Sequence, residues 1–155
     1  MSTENIIISR VSSKKEMKEF VRFNYELYKD NPYAVPDLLE DTLDTFNKKK
    51  NPAFRFCEAE WFLARRNGKI VGRICAIINH KANEQWNQKT VRFGWIDFID
   101  DTEVSGLLLQ AVEDWGKERG MNKMVGPLGF TDMDLEGMLT EGYDQLSTMN
   151  SIYNY

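Results

Sequence analysis

Asn67-Gly68 joins two apolar-rich runs, residues 60–66 and 70–79, and this junction constrains the fold more than any other feature of the chain. A two-residue connection of this kind needs positive φ at both positions, and its twist matches that of paired antiparallel strands. The core is therefore built around an antiparallel hairpin. Gly72 interrupts the second run, where an absent side chain marks a bulge or a close approach by a neighbour.

The remaining elements follow from local pattern. Residues 5–11 (Asn5-Ile6-Ile7-Ile8-Ser9-Arg10-Val11) read as a short first strand. Ser13 and Glu16 have capping-box spacing, and Met17, Phe20, Val21, Asn24, Leu27 and Tyr28 recur at helical intervals behind them. Asp30-Asn31-Pro32 stops that helix, and Pro36 is expected in the first turn of a second one, which gives way to a turn over 47–52. Residues 80–89 read as a polar connection to a third strand of the core, 91–99. A helix opening at Asp101 or Thr102 carries Val104, Leu107, Leu108, Ala111, Val112 and Trp115 on one face. It closes at Lys117-Glu118-Arg119-Gly120, with cations at the negative end of its dipole. Residues 123–126 predict a short buried strand, and 132–141 a last short helix ended by Gly142. Residues 149–155 offer at most one further strand. No repeat, linker or low-complexity tract divides the chain, so 1–155 reads as one domain. The aromatic end Ile152-Tyr153-Asn154-Tyr155 leaves open a boundary inside a longer protein.

Composition narrows the classes. The 155 residues are 42% hydrophobic and 28% charged, with a net charge of −4, enough for one buried core. An acidic balance gives no general attraction to nucleic acid or to anionic membrane. Lys48-Lys49-Lys50 and Arg65-Arg66 read as a solvated loop and an exposed hairpin end. No run approaches the length of a membrane span and no signal peptide is evident, which points to the cytoplasm. Cys57 and Cys75 then read as reduced thiols. One histidine, His80, does not make a metal site.

By Gly126 the expected order is strand, two helices, three antiparallel strands, helix, strand. This resembles the GNAT superfamily of acyl-coenzyme A N-acyltransferases. Asp30-Asn31-Pro32-Tyr33-Ala34-Val35-Pro36, Phe98-Ile99-Asp100-Asp101, Gly126-Pro127-Leu128-Gly129 and Glu141-Gly142-Tyr143-Asp144 further resemble the N-terminal half of a group of long bacterial GNAT-like proteins. The recognisable acetyl-coenzyme A motif of that group lies in a second, C-terminal half. The resemblance implies an α/β (α+β) fold, a mixed, largely antiparallel sheet flanked by helices, here without the last strands.

It also implies acyl transfer from acetyl-coenzyme A to a small amine, without a metal. The cofactor would run along the backbone of Ile96, Phe98 and Ile99, with its pyrophosphate on the helix entrance at Asp101, Thr102, Glu103 and Val104. Glu60 and Asp97 are the carboxylates placed for a base, and Tyr143 stands where a general acid is common in such enzymes. The residues themselves complicate that picture. The glycine-rich pyrophosphate loop is replaced by Asp100-Asp101-Thr102-Glu103, whose acids equally read as helix caps. Gly106 comes too late for that loop and is expected to permit close helix packing. Cys75, inside an apolar strand, reads as a packing residue. The four tryptophans, Trp61, Trp86, Trp95 and Trp115, read first as core. Two classes stay open: an N-acyltransferase with an atypical pyrophosphate site, and a non-catalytic GNAT-like unit. The second would regulate or bind beside a catalytic C-terminal half, or self-associate as a homodimer.

Overall fold

The computed structural model describes residues 5–146. Five strands form one sheet in the order β1-β2-β3-β4-β5. They are β1 (Ile6–Arg10), β2 (Cys57–Arg66), β3 (Lys69–Asn79), β4 (Thr90–Phe98) and β5 (Lys123–Val125). All neighbours are antiparallel except β4 and β5, which run parallel. The helices are α1 (Lys14–Leu27), α2 (Leu39–Thr45), α3 (His80–Gln85) and α4 (Thr102–Lys117), and a 3-10 turn spans Pro52–Arg55.

The hairpin forms as its turn demands: Asn67 and Gly68 both take positive φ, at 51° and 77°. Alternation along β2 and β3 then divides the core. Phe62, Ala64, Ile74, Ala76 and Ile78 meet Val104, Leu108, Val112 and Trp115 of α4 on one face. Ala59, Trp61, Leu63, Cys75 and Ile77 meet Phe20 and Val21 of α1, together with Phe46, Ala53 and Phe130, on the other. Leu108, Val104 and Val112 are wholly buried, each worth about 1.5–3 kcal/mol relative to exposure. Gly72 permits that contact. A Cβ there would lie 2.8 Å from Leu108 Cδ1 and 2.9 Å from Val104 Cγ1. The expected irregularity sits beside it, where Ala64 faces Gly72 but Arg65 faces Ile70.

A second bulge positions the candidate site. Arg73 faces Asp97 and Cys75 faces Gly94, so β4 spends Trp95 and Ile96 where β3 spends Ile74 alone. Trp95 takes a positive φ of 46° to do so. A bulge bends its strand and raises its twist. Here β4 bends away from β5, whose pairing ends at Arg92↔Val125.

Several expectations are corrected. Proline does not enter α2: that helix starts at Leu39, after Leu38 in extended geometry, because the Tyr25 hydroxyl holds the Asp37 carbonyl in the preceding loop. The polar connection contains α3, whose free end is capped by the Asn79 side chain accepting from Ala82 N–H. Residues 132–141 form turns instead of a helix. Asp134 Oδ2 accepts from the Thr131 N–H, Thr131 Oγ1 accepts from Met133 N–H, and Gly137 has a φ of 72°. Such local side-chain bonds compete with helix formation. Gly106 faces open space with no packing neighbour within 4 Å. Trp86 is exposed, whereas Trp61, Trp95 and Trp115 are core. Arg65 and Arg66 are ion-paired and largely shielded. The expected strand at 149–155 lies outside the described residues.

Candidate functional site

The site begins where β4 leaves its neighbours. Ile99 N–H donates to Val71 O at 3.0 Å, so alternation turns the backbone groups of Phe98 toward the edge that β5 never reaches. Ile96 is buried toward α4, and Phe98 and Ile99 pack against the same cluster. Four residues later α4 starts, with Val104 buried and Thr102 and Glu103 exposed. All seven expected cofactor positions therefore fall on one continuous path.

That path ends on an anion the protein already carries. Asp101 Oδ1 accepts from the Glu103 N–H at 2.9 Å, and Oδ2 lies 2.6 Å from Arg66 Nη2. The hydrogen bond from Arg66, then that from Glu103, holds the Asp101 pKa below its ordinary value. A helix N-terminus and an adjacent guanidinium suit a phosphate, and here a carboxylate occupies both.

The other side of β4 holds a polar network. Arg73, 1% exposed, donates from Nε to Asp97 Oδ2 at 2.7 Å and from Nη1 to the carbonyls of Phe20 and Val21 at 2.9 and 3.3 Å. The Tyr28 hydroxyl donates to Asp97 Oδ1 at 2.8 Å. Both oxygens of Asp97 thus carry donors. Tyr25, one turn earlier on α1, donates to the main-chain carbonyl of Asp37. Asp37 as a residue is exposed, yet desolvation of its carboxyl raises its pKa, with Arg73 opposing and Asp97 reinforcing the shift.

Below the divergence of β4 and β5 the gap on the α1 face is filled. Phe130 lies 5.0 Å from Phe54 and 5.7 Å from Trp95, ring to ring, and Phe46 lies 4.9 Å from Trp95. Arg92 Nη1 and Asn79 Nδ2 fasten the Phe130 carbonyl. Above Phe130 opens a cleft of about 420 Å3 lined by Asp41, Asp44, Thr45, Lys50, Asn51, Ala53, Thr131 and Asp134. Lys50 is taken up by Asp44 at 2.6 Å, which leaves the cleft with an acidic balance.

The three expected acid–base residues are not brought together. Glu60 shares the α4 face with Phe62 and Ala64, whereas Asp97 lies on the α1 face against Arg73. Tyr143 is exposed and donates its hydroxyl to Leu139 O at 2.9 Å. Arg73, Arg66, Tyr28 and Asp37 were missed. The available signal was Arg73 itself, a cation inside the apolar run Ile70-Val71-Gly72-Arg73-Ile74, which requires a buried acid opposite it. Both cysteines are free and buried, and burial pushes the Cys57 thiol up to about 11. Among the described residues no cluster of three metal-ligating side chains exists, and no helix is long and apolar enough to cross a membrane.

No family model matches the chain. Over 132 residues it is 35% identical to Protein YghO of Escherichia coli (strain K12), covering 85% of this chain and 34% of that protein. Over 135 residues it is 33% identical to the bacterial ceramide synthase of Caulobacter vibrioides, covering 86% of this chain and 35% of that protein. The chain thus spans about a third of the length of the curated relatives it matches. Among solved structures it is similar to a tandem GNAT protein from the clavulanic acid biosynthesis pathway, at a TM-score of 0.56 and 11% identity over 74% of this chain and 34% of that one. It is also similar to an acetyltransferase from Clostridium acetobutylicum with acetyl-CoA, at a TM-score of 0.55 and 13% identity over 78% and 79% of the two chains. The chain has the GNAT fold, as its element order led one to expect.

Proposed function

We propose that this chain is the GNAT-fold unit of a longer N-acyltransferase, one that moves an acyl group from coenzyme A to an amine. The observation that carries this reading is the divergence of β4 from β5 beyond Arg92, with β4 running directly into α4. An opened parallel pair leaves strand backbone for an extended amide-bearing thiol ester, and the helix entrance offers N–H groups to its phosphates. The ceramide synthase among the relatives supports the reaction class, since a ceramide is an amide of a fatty acyl group and a long-chain amine. The acidic cleft suits an acceptor that arrives as an ammonium ion.

The pyrophosphate seat is atypical. Asp101 already takes up the entrance N–H of Glu103 and the Arg66 guanidinium, so a phosphate must displace it before binding. Like charges a few ångströms apart cost on the order of 1 kcal/mol or more at intermediate dielectric. Calorimetric titration of the chain with acetyl-coenzyme A and with free coenzyme A tests the reading, run beside Asp101→Ser. Binding by either protein supports an acyltransferase seat. Failure of both at millimolar ligand refutes it.

The same contact favours a second reading, a non-catalytic unit whose helix entrance is permanently closed by its own carboxylate. The ring cluster of Phe46, Trp95 and Phe130 beneath the strand divergence points the same way. That reading gains if Asp101→Ser folds normally and still binds no coenzyme.

A further inference from the structure

The end of α1 brings together two carboxylates from distant parts of the chain. Tyr25 and Tyr28 are three residues apart, which places their side chains as neighbours on one helix face. Tyr28 donates to Asp97 Oδ1, and Tyr25 donates to the Asp37 carbonyl. Arg73 stands between them in effect: it is ion-paired with Asp97 and acts on Asp37 through its charge.

The two acids have unlike surroundings. Asp97 is buried, with Arg73 on one oxygen and Tyr28 on the other, so no oxygen is left without a donor for an incoming proton. Asp37 belongs to an exposed loop residue and makes no ion pair or side-chain hydrogen bond among the described residues. Asp97 nonetheless lies on the stretch of β4 that has left β5, two residues past the bulge at Trp95. The fold therefore neutralises the acid on the opened strand and presents a second one beside it from the α1–α2 loop.

We infer that Asp37 is the proton acceptor of this site, taking a proton from the amine as it attacks the thioester. This rests on the acyltransferase reading above. The nitrogen lone pair forms the C–N bond at the acyl carbonyl, the C–S electron pair leaves on sulfur, and one N–H proton passes to the Asp37 carboxylate. The coenzyme thiolate takes its proton from water, and Asp37 returns its own to solvent. Desolvation makes Asp37 a better base than an ordinary aspartate. The groups facing it set that balance: Tyr25 and Tyr28 from α1, Arg73 from β3 and Asp97 from β4.

The test uses the full chain, acetyl-coenzyme A and octylamine, with release of free thiol followed from pH 5 to 9. Asp37→Asn is expected to lower kcat by ~100-fold or more, the usual share of a general base. It should also abolish the acidic limb of the rate profile and leave acetyl-coenzyme A binding by titration unchanged. Asp37→Glu should recover part of the rate. An Asp37→Asn rate within about threefold of the parent, with the same limb, overturns the assignment while leaving the acyltransferase reading intact. Amine-dependent thiol release absent from the parent chain overturns both. A carbon-13 titration of the Asp37 carboxyl gives a readout independent of activity, and an ordinary aspartate value there overturns the base whatever the rates.

Discussion

Arg73 and Asp97 face one another across β3 and β4, joined by contacts of 2.7 Å from Nε and Nη2 to the same carboxylate oxygen. The pair sits at the point where the bulge shifts the register of the two strands. It also fastens α1 to the sheet, because the same guanidinium donates to the Phe20 and Val21 carbonyls and stacks over the Phe20 ring at 5.2 Å. Removing one member leaves the other charged and buried, at a cost of about 3–5 kcal/mol. Arg73→Met and Asp97→Asn should each lower the urea unfolding free energy by that order. The double replacement Arg73→Met with Asp97→Leu should recover part of it. Equal losses for the singles and the double would show that the carbonyl bonds, not the ion pair, hold α1.

Tyr28→Phe removes only the hydroxyl that serves Asp97 Oδ1. A hydrogen bond to a charged acceptor contributes about 1.5–3 kcal/mol. Chemical denaturation should register a loss in that range. A change under 0.5 kcal/mol would mean that solvent replaces the hydroxyl, and the network would then be more open than its geometry indicates.

Asp101→Ser separates capping from blocking. Serine is nearly as good an N-cap as aspartate, so stability should change little. Arg66 loses its carboxylate partner and the helix entrance regains room for an outside anion. Affinity for acetyl-coenzyme A should rise by about tenfold or more in calorimetric titration, and the gain should shrink as salt is added. A variant that binds no better than the parent shows that Asp101 is a cap and nothing else.

The acid limb of stability follows from the carboxyl groups with settled partners. The pKa of Glu58 is lowered, first by its hydrogen bond with His80 and then by that with Arg119. Glu16 is lowered by the Ser12 N–H and hydroxyl, and Asp101 by Arg66. A depressed folded pKa means that the unfolded chain binds the proton more readily. The stabilisation is complete above the unfolded value and is lost as pH falls through the folded one. Asp37 acts oppositely: its raised pKa makes its ionised form a burden on the fold, relieved as pH drops below the folded value. Urea midpoints should therefore decline below about pH 4.5. Glu58→Gln should flatten that decline, and an unchanged slope would remove Glu58 from the account.

The hairpin, the α1 cap and the α4 face were legible because each is a local pattern. The Asn67-Gly68 turn, the Ser13 cap and the spacing of Val104, Leu108, Val112 and Trp115 need no distant partner to be recognised. Asp97 was legible as a carboxylate on a strand, but its role depends on Arg73, whose position opposite it is set by a bulge at Trp95. A one-residue bulge reverses which side chains share a face, and local periodicity does not locate it. Asp37 was invisible for a related reason. Its environment is made by Tyr25 and Arg73, while the Pro36-Asp37 pair by itself reads as a helix start.

Residues 126–130 arch over the open side of β4, and Gly94 is what lets them. A Cβ on Gly94 would stand 2.9 Å from the Leu128 carbonyl oxygen, a backbone atom with no rotamer to yield. Leu128 N–H meanwhile donates to Phe93 O at 2.8 Å, so the arch is pinned on both sides of the glycine. Phe130, 1% exposed, follows as the plug against Trp95 and Phe54. Gly94→Ala should push the arch outward at a cost of about 1–3 kcal/mol, as overpacking does. Phe130→Ala should cost about 3–5 kcal/mol through the cavity it leaves. Both should alter the fluorescence of Trp95, read as a loss of signal in Trp95→Phe controls. If the glycine variant loses stability but leaves Trp95 unmoved, the strain is absorbed within β4, and the arch does not set how far the strand opens.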